Sequence, residues 1–251
     1  MKKIFLLAIL SGVFFSFLLG EKKVEAVRLE RTQNFQVRSI IGSDDRTKIA
    51  DTTKAPYDSI VFLASDGKAL SGAVIGKNTV LTAAHAVNNI RSNPESNRNY
   101  VIPGRNGSNF FNGKYKIKEV YIPQEYIEKP SVDSDIAVLK IEPLNGVSIG
   151  DKVPILPIKI TNSIDKGTKL ETSGYPQDKP WATMWSSKGT VVGDSTTRIY
   201  YDMDTIGGQS GSPVYNVNYE IVAVHTTGAG SKNFGTKLNS KWFNFVTEHI
   251  S

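Results

Sequence analysis

Ten short apolar runs follow one another along the chain: Ser59–Leu63, Ala69–Ile75, Val80–Ala83, Tyr115–Tyr121, Ile136–Ile141, Leu170–Ser173, Gly189–Val192, Ile199–Tyr201, Ser212–Tyr215 and Ile221–His225. Gly, Asn, Asp or Pro residues separate them, and most are rich in side chains that suit a pleated, half-buried surface. No long amphipathic helices alternate with them, which argues against a parallel α/β sheet. So many short strands in 251 residues predict an all-β chain, as a sandwich or as barrels. One helix is expected at the end. Asn239 or Ser240 can cap it, and Trp242, Phe243, Phe245, Val246 and Ile250 recur at about helical spacing. Two polar stretches, Asn88–Gly113 and Pro123–Ser134, read as long loops, where β-scaffolds often carry recognition.

The N-terminus has a different character. Lys2 and Lys3 precede an apolar run from Ile4 to Leu19, the pattern of a secretory signal peptide. Cleavage is expected after Gly20 or Ala26, so 1–26 reads as the signal and 27–38 as a short polar pro-segment. The formal charge of +6 includes this leader. Seven of the 30 basic residues and three of the 24 acidic ones lie in 1–38, so the remainder carries only about +2. Nucleic-acid binding, which needs a clustered basic face on the folded part, loses its support. The chain has no cysteine, which excludes disulfides, thiolate metal sites and a cysteine nucleophile. With three histidines and no loop of EF-hand spacing, neither a metal nor a cofactor is expected.

Three segments carry chemistry together. Val80-Leu81-Thr82-Ala83-Ala84-His85 is a strand ending in a histidine. Asp133-Ser134-Asp135-Ile136-Ala137-Val138-Leu139 puts an aspartate at the start of an apolar strand, and Gly207-Gly208-Gln209-Ser210-Gly211-Ser212-Pro213 is a glycine-rich turn around a serine. A serine hydroxyl needs a base of pKa near 7, which histidine supplies. The imidazole needs a carboxylate on its other nitrogen to hold its orientation. Glycines let backbone amides converge on a developing oxyanion, here those of Gly208 and Ser210. Asp133 is the rival carboxylate, two residues from Asp135, but Asp135 abuts the apolar run. His249, in the terminal helix, reads as a helix-end cation.

His85 in T-A-A-H, Asp135 in D-I-A-V-L and Ser210 in G-x-S-G-S-P resemble chymotrypsin-fold serine proteases, in the order His, Asp, Ser. Gly174-Tyr175-Pro176-Gln177-Asp178-Lys179-Pro180, then Ala182-Thr183-Met184-Trp185, and also Asp45-Arg46, resemble secreted bacterial glutamyl endopeptidases. The resemblance implies two antiparallel six-stranded β-barrels with a C-terminal helix. The protease domain is then 39–251, with 39–145 as the first barrel and 146–251 as the second barrel plus the helix. It implies a Ser210–His85–Asp135 triad, an acyl-enzyme, protein or peptide substrates, and cleavage after Glu with less after Asp. It also implies that Thr205, His225 and a free α-ammonium at Ser39 bind the substrate carboxylate. That ammonium would be released by an activating protease cutting after Arg38.

Asp204 opposes this reading. It lies six residues before Ser210, where trypsin-like enzymes keep the aspartate that selects Arg or Lys. A carboxylate there would repel a substrate glutamate by about 4 kcal/mol at 4 Å for an effective dielectric near 20. Asp204 must therefore point away, pair with His225 or the ammonium, or direct cleavage after basic residues. A different class of function, a toxin-like or adhesin-like binding protein on a protease scaffold, is the remaining alternative. The expected product is a secreted monomer without stable membrane association.

Overall fold

The computed structural model describes residues Ile40–Ile250. The expected signal peptide, the pro-segment and Ser39 lie outside the described residues. Among the described residues no helix is long and apolar enough to cross a membrane.

The fold consists of two antiparallel barrels. Strands β2 (Ile60–Ser65), β3 (Lys68–Gly76), β4 (Thr79–Thr82), β5 (Tyr100–Pro103), β6 (Tyr115–Tyr121) and β7 (Ala137–Ile141) close the first, in the order β2-β3-β4-β7-β6-β5. The second uses β8 (Lys169–Gly174), β9 (Trp185–Asp194), β10 (Arg198–Tyr201), β11 (Pro213–Tyr215), β12 (Ile221–Ala229) and β13 (Lys232–Lys237). Their order is β9-β10-β13-β12-β11-β8, and the β8–β9 pairing from Lys169↔Thr190 to Gly174↔Trp185 closes the ring. Closure leaves few free strand edges, and alternate side chains fill each interior. In β6, Tyr115 and Ile117 are buried while Lys116 and Lys118 face water, the period of two that a half-buried strand requires.

A two-residue strand, β1 (Thr47–Lys48), pairs with β9 through Thr47↔Ser186 and Lys48↔Trp185. The segment at 40–48 thus adds to the second barrel, whereas the sequence assigned everything from 39 to 145 to the first. The Asn88–Gly113 stretch is not one loop, because it contains β5, which pairs with β2 and β6 and completes the first barrel. Only Val101 and Ile102 mark it as apolar, and Pro103 ends it, so its pattern was too short to read. The Pro123–Ser134 stretch holds a short helix, α2 (Gln124–Glu128), which buries Tyr126. Another, α1 (Ala84–Val87), follows β4.

The C-terminal helix α3 (Ser240–Glu248) is capped by Asn239, whose Oδ1 accepts from the Trp242 amide at 3.0 Å. Trp242 and Val246 are buried, and the Trp242 indole N–H donates to the Asp133 carbonyl at 2.9 Å. The helix therefore fastens the second barrel onto the loop before β7. Asn239→Ala is expected to lower stability to urea by about 1 kcal/mol without changing hydrolysis, as read from the unfolding midpoint and a peptide assay on the same sample.

Candidate active site

Strand register brings His85 and Asp135 together. β4 and β7 run antiparallel, with Thr82 opposite Ala137. Moving forward from Thr82 and backward from Ala137 leads to the same edge, where His85 and Asp135 meet. Asp135 Oδ1 accepts from the His85 amide at 2.8 Å, and Oδ2 lies 2.6 Å from His85 Nδ1. Asp135 is buried and its backbone carbonyl accepts from Thr236 Oγ1. This two-point grip fixes the ring's position and leaves Nε2 as its other nitrogen. Asp133 is used elsewhere: Arg198 binds it through Nε and Nη2, each at 2.7 Å, and Thr197 donates to it as well. The Arg198 hydrogen bonds hold its carboxyl below the ordinary range.

Ser210 is buried in the turn before β11, and its hydroxyl donates to the Thr226 carbonyl at 3.4 Å. That is a long contact, which a rotation about Cα–Cβ breaks. The turn is held by its carbonyls. Gly207 O accepts from the Gln177 amide at 2.6 Å, Gly208 O from Ser71 Oγ at 2.8 Å, and Ser210 O from the Ser71 amide at 3.0 Å. Because C=O and N–H point oppositely across a trans peptide, anchoring Gly207 O toward Gln177 aims the Gly208 N–H the other way. Gly208 has φ +96°, and a Cβ there would lie 2.2 Å from the Tyr175 carbonyl, so only glycine fits.

His225 and Thr205 are both fully buried. His225 Nδ1 lies 2.6 Å from the Tyr201 hydroxyl. Each of these two residues sits beside a register shift, at His225/Thr227 in the β12–β13 ladder and at Tyr200/Tyr201 in the β9–β10 ladder. Such bulges re-aim side chains. Burial raises the Tyr201 phenol far above its usual pKa, so it stays neutral and able to donate. Thr205 Oγ1 is buried without a hydrogen-bond partner among the described residues. His249 instead caps the end of α3, with Nδ1 2.7 Å from the Phe245 carbonyl and its ring against Tyr121.

Asp204 is occupied by the N-terminal segment. Its Oδ1 accepts from the Ile41 amide at 2.6 Å and its Oδ2 from the Asp45 amide at 3.1 Å. Nearby, the buried Arg46 guanidinium binds Asp44 and Asp178. Sequence reasoning assigned no roles to Ser71, Tyr201, Gln177, Arg46 or Asp178. The last three lie in stretches that carried the resemblance, and that was the available signal.

A family model described as trypsin-like peptidase domain matches residues 70–224. The chain belongs to this family. It is 34% identical over 225 residues to the glutamyl endopeptidase of Bacillus licheniformis, covering 85% of this chain and 69% of that protein. A Bacillus subtilis protein named extracellular metalloprotease is 35% identical over 226 residues, covering 85% of this chain and 70% of that one. The solved structure of a Glu endopeptidase in complex with MPD aligns with a TM-score of 0.75 at 32% identity, covering 84% of this chain and 98% of that chain. The protein is accordingly a serine endopeptidase of chymotrypsin-like fold, and its substrates are proteins or peptides. Among the described residues no three His, Asp or Glu side chains gather as a metal ion would need.

Asp45 adds a pH effect. Its carboxyl is raised from its ordinary value by partial desolvation first, then by the nearby Asp204 charge. A group whose pKa rises on folding contributes stability at low pH and loses it as pH climbs through the folded value. Asp45→Asn removes the charge that repels Asp204. It should melt slightly above wild type at pH 7, with the difference gone at about pH 3. Differential scanning calorimetry across pH checks this, and a variant that melts lower at pH 7 contradicts it.

Proposed function

We propose that this chain is a secreted, monomeric endopeptidase that cuts preferentially after Glu, using Ser210, His85 and Asp135. Ser210 Oγ attacks the scissile carbonyl carbon and gives its proton to His85 Nε2. The amides of Gly208 and Ser210 receive the oxyanion. His85 then passes the proton to the departing amine, the C–N bond breaks, and an acyl-enzyme remains. Water, deprotonated by His85, attacks that ester. The carboxylic acid leaves and Ser210 regains its proton. Asp135 keeps the imidazole in register throughout and stabilises its cation.

The observations that carry the glutamate assignment are the buried Tyr201–His225 pair and a buried Thr205 hydroxyl that has no hydrogen-bond partner among the described residues. A neutral phenol donating to Nδ1 leaves the imidazole proton on Nε2, the atom we assign to the substrate carboxylate. A buried hydroxyl without a partner is costly, and an incoming carboxylate relieves that cost. With Asp204 bonded to the Ile41 and Asp45 amides, its pull toward Arg or Lys is spent. In this reading the Ser39 ammonium, released by a cut after Arg38, adds the remaining positive charge.

The test is the cleavage profile of the mature chain on a mixed peptide library, read by mass spectrometry. Cuts after Glu, with fewer after Asp, are expected, while cuts after Arg and Lys would return Asp204 to the role of specificity determinant. Ser210→Ala is expected to lower kcat by about 10⁴-fold or more with an unchanged melting temperature. Thr205→Val should raise KM for Glu substrates while sparing the rate of fluorophosphonate labelling. A wild-type chain that neither cuts nor labels would favour the binding-protein alternative.

A further inference from the structure

We propose that Arg46 is a positioning residue for the oxyanion turn, because its guanidinium ties Asp178, the neighbour of Gln177, to Gln209, the neighbour of Ser210. The proposal rests on the oxyanion role given above to the Gly208 and Ser210 amides.

Arg46 and Asp178 are 132 residues apart, yet they form a two-pronged contact: Nη1 to Oδ1 at 3.0 Å and Nη2 to Oδ2 at 2.5 Å. Asp44 takes the other edge of the same guanidinium, at 2.8 Å to Nε and 2.9 Å to Nη2. Nη1 also reaches Gln209 Oε1 at 3.4 Å. That oxygen accepts from the Ile206 amide at 2.9 Å as well, so it braces the turn from Ile206 to Ser210 from within. The Arg46 side chain is fully shielded from water, whereas Asp178 is 40% exposed.

A buried guanidinium is expensive to desolvate and earns its place only where matched carboxylates meet it. Its location explains what it does here. The Asp178 contact holds the backbone beside the Gln177 amide, and that amide sets the direction of the Gly208 N–H through Gly207 O. The Gln209 contact holds the residue between the two oxyanion donors. One planar group thus reaches the turn from both sides. A lysine ammonium cannot reproduce this, because it is a point charge without a fixed fork. Two of the three sequence stretches that resemble the glutamyl endopeptidases, Asp45-Arg46 and Gly174–Pro180, meet in this contact.

The experiment compares mature wild type, Arg46→Lys and Asp178→Asn. The measurements are kcat and KM on a Glu-containing peptide amide, inhibition by a peptide aldehyde ending in glutamate, and the melting temperature. The aldehyde adduct places an oxyanion in the hole, whereas KM mainly reports binding of the ground state. In both variants kcat and aldehyde affinity should fall together by about tenfold or more, less than the 10²–10³-fold of losing a donor outright. KM should stay within about twofold. Folded variants that keep wild-type kcat and aldehyde affinity overturn the proposal, as does a rise in KM at constant kcat. If Arg46→Lys fails to fold, Asp178→Asn decides by the same criteria. An inert wild-type chain that resists fluorophosphonate labelling sinks the proposed function and this inference with it. An active wild type with unaffected variants sinks the inference alone.

Discussion

The turn around Ser210 depends on hydrogen bonds that reach it from outside. Its carbonyls at Gly207, Gly208 and Ser210 are held by the Gln177 amide, the Ser71 hydroxyl and the Ser71 amide. A polar loop can present N–H groups to a reacting atom only when its carbonyls are satisfied elsewhere. Ser71 lies on β3 of the first barrel, and its hydroxyl also accepts from the Tyr175 amide after β8 of the second. The bonds that shape the turn therefore also join the two barrels. The junction is tight. A Cβ on Gly174 would meet Ser212 Oγ at 2.0 Å and Ser71 Oγ at 2.7 Å, and one on Gly211 would meet Thr82 Oγ1 at 2.1 Å.

Around this turn, separate carboxylates have separate partners. Asp135 holds His85, Asp133 holds Arg198 and Thr197, and Asp204 holds the amides of Ile41 and Asp45. Poorly solvated carboxylates persist only when hydrogen-bonded, and the donor each one finds decides its work. Spacing along the chain could not assign these donors. Asp133 and Asp135 are two residues apart, and Asp204 stands next to Thr205. The partners named here lie 50 or more residues away.

The strands rich in Val, Ile and Tyr were legible because their apolar faces fill the barrels. Those without such a face were not. β13, Lys-Asn-Phe-Gly-Thr-Lys, contains one large apolar residue, and its buried Lys237 is satisfied by Asp194 Oδ1 at 2.7 Å and the Asn162 carbonyl at 2.9 Å. β1 has two exposed residues and exists only because β9 offers an edge. β5 is four residues long and ends in proline. Among the candidate site residues, the histidine, the aspartate and the serine each sit in a distinctive local sequence, and the structure places His85 against Asp135. Ser71 and Tyr201 carry no local mark, since an ordinary strand serine or tyrosine has the same neighbours in sequence.

The sequence by itself determined which residue types the chain holds, in what order, and that its many short strands make an all-β fold. Local preference is enough for this, because period-two burial and glycine turns are written in adjacent residues. Only the tertiary structure decided how those residues are employed. It gave Asp135 to His85, withdrew Asp204 into the N-terminal segment, set Tyr201 on His225, and sent Arg46 to Asp178. Each of these choices is a contact between residues far apart in the chain. Such contacts follow from barrel register and from the need to satisfy every buried charge, which no stretch of sequence displays alone.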